Sequence, residues 1–143
     1  MLISTYTHSM DAKGRVFMPA KFREELGENF IISQGIGKCL FVFSQESWLE
    51  FAGKLKNVPI TNKEAQHIAR LLFASACECI PDKQGRILIP QRLRDFAEMA
   101  DEVVANGAMT RVELWSKKCW DEYLDEARSG YEEALEKLAE FGI

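Results

Sequence analysis

Arg15 and Arg86 each close a five-residue sequence, Asp11-Ala-Lys-Gly14-Arg15 and Asp82-Lys-Gln-Gly85-Arg86, that runs on through apolar residues and a proline into a basic stretch. Residues 11–23, DAKGRVFMPAKFR, and 82–94, DKQGRILIPQRLR, each gather four cations against one acid, a net +3 within thirteen residues. Cations at that density suit a polyanion: neutralising phosphates releases condensed counterions and supplies most of the non-specific affinity for nucleic acid. Lys13, Lys21, Arg23, Lys83, Arg92 and Arg94 are the candidates for phosphate contact. An arginine can in addition bind O6 and N7 of guanine bidentately in the major groove. Asp11 and Asp82 would repel phosphate if they faced it, so they are assigned to holding the turn or orienting the neighbouring arginine. Gly14 and Gly85 take the last position of a type I turn, where glycine is favoured. On turn chemistry alone, the same residues suit equally well a plain hairpin turn whose cations stay solvated.

The two stretches align with a constant offset of 71, and after one extra residue an offset of 72 pairs Gly35 with Gly107, Ser44 with Ser116 and Trp48 with Trp120. A period of that length exceeds the roughly 20–50 residues of solenoids and propellers, so it marks two small units in tandem. A unit of roughly 40–60 residues has a marginal core by itself, which implies that the copies complete each other.

The 143 residues, 47% hydrophobic and 28% charged, fit one compact soluble domain. The beginning, MLISTYTHSMDAKGR, does not read as a signal peptide, and no apolar run approaches a membrane span, so a cytoplasmic protein is expected. The net charge of −4 conceals a division: residues 1–94 carry 13 basic and 9 acidic side chains, a net +4, and residues 95–143 carry 5 and 13, a net −8. Local charge is what bears on a nucleic-acid partner. Cys39, Cys77, Cys79 and Cys119 form no CxxC pair and are read as buried free thiols rather than a metal site. Ser9, His8 and Asp11 are hydrolase residue types, but three types close in sequence are not a triad, and no nucleophile elbow or phosphate loop is present. No catalysis, cofactor, metal or small-molecule substrate is expected.

Positioning the two turns requires strands on either side of them. Ser4–Ser9 and Phe73–Ile80 read as strands entering the turns, and Arg15–Met18 and Arg86–Ile89 as strands leaving them. Pro19 and Pro90 suit the first turn of short helices. FIISQGIGKCLFVF and EVVANGAMTRVELW then each read as two strands, so each unit is ββαββ and the fold class is α+β, mainly β. Ser44 and Ser116 stand as N-caps ahead of helices whose Trp48 and Trp120 are read as packing residues. Thr61-x-x-Glu64 predicts a capping box. Tyr131, Leu135 and Leu138 share one face of an acidic final helix that Gly130 interrupts. The expected organisation is unit 1 at 5–47, linking helices at 48–75, unit 2 at 76–119 and an acidic helical segment at 120–143.

The paired Asp-x-x-Gly-Arg turns, with LFVFSQESW and VELWSKKCW ending the units, resemble the MraZ family of bacterial transcriptional regulators, which carry two SpoVT-AbrB-type units in one chain. The resemblance spans about Tyr6 to Tyr123. It implies a swapped-hairpin AbrB-like β-barrel formed by the two tandem units, with flanking helices. It further implies a ring-shaped homo-oligomer, nucleoid-associated, that binds double-stranded DNA at short G-rich direct repeats upstream of its own operon in the division and cell-wall gene cluster. The resemblance points to Arg15 and Arg86 as base readers, and Arg15 is favoured because Lys13 adds a cation where the second turn has Gln84. An antitoxin-like or assembly protein, holding a protein partner on the same barrel, is the alternative.

Overall fold

Strand-forming residues interrupted by Asp-x-x-Gly give the start of each half its shape. In the computed structural model, which describes residues 1–143, β1 (Thr5–Ser9) and β2 (Arg15–Phe17) flank the first turn. Helix α1 (Ala20–Leu26) and strands β3 (Phe30–Gln34) and β4 (Cys39–Phe43) complete the unit. Helices α2 (Gln45–Lys56) and α3 (Lys63–Ser75) lead to the second copy: β5 (Cys77–Cys79), β6 (Arg86–Leu88), α4 (Gln91–Phe96), β7 (Glu102–Gly107) and β8 (Val112–Ser116). Helices α5 (Lys117–Ser129) and α6 (Tyr131–Lys137) close the chain with a 3-10 turn at Leu138–Phe141. The chain is α+β with antiparallel sheets.

The order of the main sheet is β1-β7-β8-β4-β3-β5, and β2 and β6 form a separate two-stranded ribbon. Every join between the units is a crossing. The first strand of unit 1 pairs with β7 of unit 2, with Thr7 opposite Val104, and the first strand of unit 2 pairs with β3 of unit 1, with Ile31 opposite Glu78. The ribbon also takes one strand from each unit, with Val16 opposite Ile87. The hydrogen bonds do not run round as one closed barrel: β1 and β5 are the edges of the six-stranded sheet, and a single bridge, Met10 to Val16, leads from the end of β1 to β2.

Side-chain alternation along the strands explains the layering. Leu40 and Val42 of β4 and Val112 and Leu114 of β8 face a core shared with Val16, Met18, Phe22, Ile87, Ile89 and Leu93. Phe41, Phe43 and Trp115 face the other way, into a smaller cluster covered by Trp48 and Phe51 of α2 and Trp120 of α5. The Ser44 and Ser116 hydroxyls accept from the amides of Ser47 and Cys119, each at 3.1 Å, so both helices start at the predicted caps. Cys39, Cys79 and Cys119 are buried free thiols, and Cys77 is half-buried.

Several local expectations change. The stretch from Phe73 is not strand throughout: α3 continues to Ser75, because Ile68, Ala69 and Leu72 extend a helical stripe, and only Cys77–Cys79 pairs in the sheet. The Ser75 hydroxyl ends that helix by donating to the Leu72 carbonyl and accepting from the Gln34 amide. The cap of α3 is Asn62, whose side chain accepts from the Ala65 amide at 3.1 Å, so the Thr61 capping box does not form. Pro19 and Pro90 stand one position earlier than expected, in extended conformation just ahead of α1 and α4. Gly130 does divide the last helix, and Tyr131 and Leu135 of α6 are exposed.

Two outcomes are expected. Phe22 has no exposed surface and lies in the core both units build, so Phe22→Ala should cost about 3–5 kcal/mol, measured by urea denaturation. Burial pushes the Cys39 and Cys79 thiols up to about 12, so at neutral pH both should resist alkylation in the native protein and react once it is unfolded, read by mass spectrometry.

Candidate nucleic-acid interface

The two turns are built alike, atom for atom. The Asp11 amide donates to the Arg15 carbonyl at 2.9 Å, and the Gly14 amide to the Asp11 carbonyl at 3.0 Å. Asp82, Gly85 and Arg86 repeat the pattern at 2.8 and 2.9 Å. Gly14 and Gly85 sit at φ +89° and +82°, a region that side chains with a Cβ rarely enter.

Each aspartate then serves its turn from inside. Asp11 Oδ1 accepts from the amides of Lys13 and Arg15, at 3.0 and 2.9 Å, and Oδ2 accepts from Arg15 Nε at 2.8 Å. Asp82 does the same with the amides of Gln84 and Arg86, both at 2.9 Å, and with Arg86 Nε at 3.0 Å. Bonds from the arginine's own backbone amide, ahead of other causes, hold both carboxyls below their ordinary range. The ion pairs are over a third exposed and add little stability by themselves. Their effect is geometric: with Nε occupied, the four N–H bonds on the terminal nitrogens of each arginine remain for another acceptor.

The ribbon sets where those arginines stand. Val16 and Ile87 turn inward and are buried, which by alternation puts Arg15 and Phe17, and opposite them Leu88 and Arg86, on the outer face. Arg15 faces Leu88 across the ribbon and Phe17 faces Arg86. A two-stranded antiparallel ribbon is narrow enough to enter a major groove. Lys13 and Lys83, in the turns, are exposed, as are Lys21 on α1 and Arg92 on α4. One terminal nitrogen of Arg92 donates to the Ser75 carbonyl at 3.2 Å. Arg23 and Arg94 differ from these: both are half-buried, each against the glycine of the other unit's turn. Sequence reading passed over Phe17 and Leu88. Leu88 is 57% exposed, and the signal that would have found it is the pairing of the two arginine strands with each other.

The MraZ family model, described as "MraZ protein, putative antitoxin-like", matches the chain twice, over residues 1–71 and 72–141. The chain belongs to the MraZ family. Among MraZ relatives, the "Transcriptional regulator MraZ" of Carboxydothermus hydrogenoformans is 51% identical over 141 residues, covering 99% of both chains. The proteins of the same name from a Thermoanaerobacter species and from Caldicellulosiruptor saccharolyticus are 49% and 48% identical over the full length of both chains. The double match to MraZ has the same repeat length as the offset between the two turns.

Because folding lowers the values of Asp11 and Asp82, their contribution to stability is complete above the unfolded value of about 3.9 and is lost as pH falls through the lower folded values. The thermal midpoint of the parent should therefore fall more steeply between about pH 5 and pH 2 than that of Asp11→Asn/Asp82→Asn. Equal slopes in scanning calorimetry would remove the carboxylates from the account of the turns.

Proposed function

We propose that the chain is a transcriptional regulator that binds double-stranded DNA sequence-selectively, with the outer face of the β2–β6 ribbon and its two turns against the duplex. One observation carries this reading: Arg15 and Arg86 lie on one exposed ribbon face, each with Nε held by an aspartate and its terminal nitrogens unengaged. A guanidinium fixed in that way can present two donors to guanine O6 and N7 without losing much side-chain freedom on binding. Lys13 and Lys83 in the turns, and Lys21 and Arg92 on the helices that follow the ribbon strands, add exposed positive charge for phosphate. The names printed for the relatives support the same activity.

The finer reading follows from the family. The target is short G-rich direct repeats upstream of the protein's own operon, in the division and cell-wall gene cluster, and the protein acts in the cytoplasm at the nucleoid. Crossed pairing of β1 with β7, β5 with β3 and β2 with β6 supports a swapped-hairpin barrel made of unit 1 (5–47) and unit 2 (76–119). Subunits assembled head to tail as a ring would present identical turns in one sense along the DNA, which suits direct repeats better than palindromes. Weak single contacts then add through effective concentration.

Fluorescence anisotropy with DNA from upstream of the gene and a scrambled duplex, across a salt series, tests the proposal. The parent should prefer the upstream duplex and weaken steeply with salt. Arg15→Ala should lose about 1–3 kcal/mol of that preference, while Lys13→Ala weakens both duplexes alike and lowers the salt slope by about 1. Equal binding to both duplexes by parent and Arg15→Ala would overturn the mechanism and leave a protein partner as the reading to pursue.

A further inference from the structure

Gly14 and Gly85 are buried although the turn residues just before them, Lys13 and Gln84, are exposed. What covers them comes from the opposite unit. A methyl group on Gly14 would lie 2.6 Å from both the guanidinium carbon and Nε of Arg94, and 2.9 Å from the Ile89 carbonyl oxygen. One on Gly85 would lie 2.7 Å from the guanidinium carbon of Arg23 and 3.0 Å from its Nε. The backbone makes the same crossing: the Met18 amide donates to the Gly85 carbonyl at 3.0 Å, and the Ile89 amide to the Gly14 carbonyl at 2.9 Å.

Local structure brings both arginines to these places. Arg23 and Arg94 stand four residues after Pro19 and Pro90, and their amides donate to those proline carbonyls, each at 3.0 Å. Both side chains therefore leave the last turn of a short helix whose start is pinned by the ribbon. A guanidinium is flat and can lie against a peptide plane wherever no Cβ intervenes, which an ammonium on a flexible stem cannot imitate.

We propose that Arg23 and Arg94 are positioning residues for DNA recognition, each holding the turn of the opposite unit, so that Arg94 orders the turn of Arg15 and Arg23 the turn of Arg86. The link to DNA rests on the function proposed above; the crossed support of the turns does not. The two cradles differ in detail. Arg23 Nε donates to the Met18 carbonyl at 2.9 Å, and its guanidinium lies 5.3 Å from the centroid of Phe17. Arg94 Nε is buried with no hydrogen-bond partner, and Leu88 occupies the ribbon position corresponding to Phe17. Arg94 thus lies on Gly14 without the Nε bond that helps hold Arg23.

Hydrogen exchange read by mass spectrometry on the full chain, free of DNA, tests the crossing. Arg94→Lys should speed exchange across the turn at residues 11–14 and leave 82–85 unchanged, and Arg23→Lys should do the reverse. Faster exchange in both segments, in neither, or only in the variant's own unit would overturn the proposal, since general destabilisation has no crossed pattern. The salt series then separates positioning from phosphate contact. Lysine keeps the charge, so a phosphate-contacting Arg94 would tolerate Arg94→Lys, and parent-like selectivity in that variant would overturn a positioning role. The expected result is about tenfold less preference for the upstream duplex, within what one bidentate base contact supplies, with an unchanged salt slope. Combined with Arg15→Ala, Arg94→Lys should add no further loss. Crossed exchange together with Arg15→Ala binding like the parent would sink the DNA reading and leave the crossed support standing.

Discussion

The structure depends on strands that pair outside their own unit. Neither β2 nor β6 has more than three residues, and each finds its ladder partner in the other half of the chain. Val16 and Ile87 then become fully enclosed, which neither hairpin would achieve alone. Apolar burial at roughly 25 cal/mol per Å² is the driving force, and the crossing lets both short strands contribute. The outward face of the same ribbon follows as a consequence, since alternation sends Arg15 and Arg86 out when their neighbours go in.

That geometry would let an acidic protein meet an anionic partner. The net charge of −4 is an average over a basic ribbon region and an acidic C-terminal stretch, and fields at a surface fall off within about 8–10 Å at ordinary ionic strength. A duplex meeting the ribbon would meet the turn lysines and arginines directly. The aspartates offset part of that charge, but their oxygens are turned to amides and Nε within the turns. A carboxylate so occupied works as part of the turn's framework.

Much of this was legible in the sequence. The repeat, the glycine-containing turns, the caps at Ser44 and Ser116, and the ββαββ order are local signals, set by spacing and residue type within a few positions. What was hidden is non-local. Nothing in the order of residues says that β1 passes over its neighbours to reach β7, although the small size of each unit demanded some such sharing. The role of Arg23 and Arg94 was hidden for the same reason: on a basic helix they look like Lys21 and Arg92, and only the position of a glycine some 60–80 residues away distinguishes them. The end of α3 was misread because Phe73 and its neighbours suit a strand as well as a helix, and the helical stripe already begun at Ile68 decides between them.

The two turns share a backbone but not a composition, with Lys13 against Gln84 and Phe17 against Leu88. Had the halves been separate copies of a single chain, any substitution in one turn would have appeared in both. Carried in one chain, each turn is a separate heritable character: one can be altered while the other preserves the shared core. Two units in one chain amount to a release from symmetry, so that a molecule built from a repeated unit is free to present two different faces to a partner.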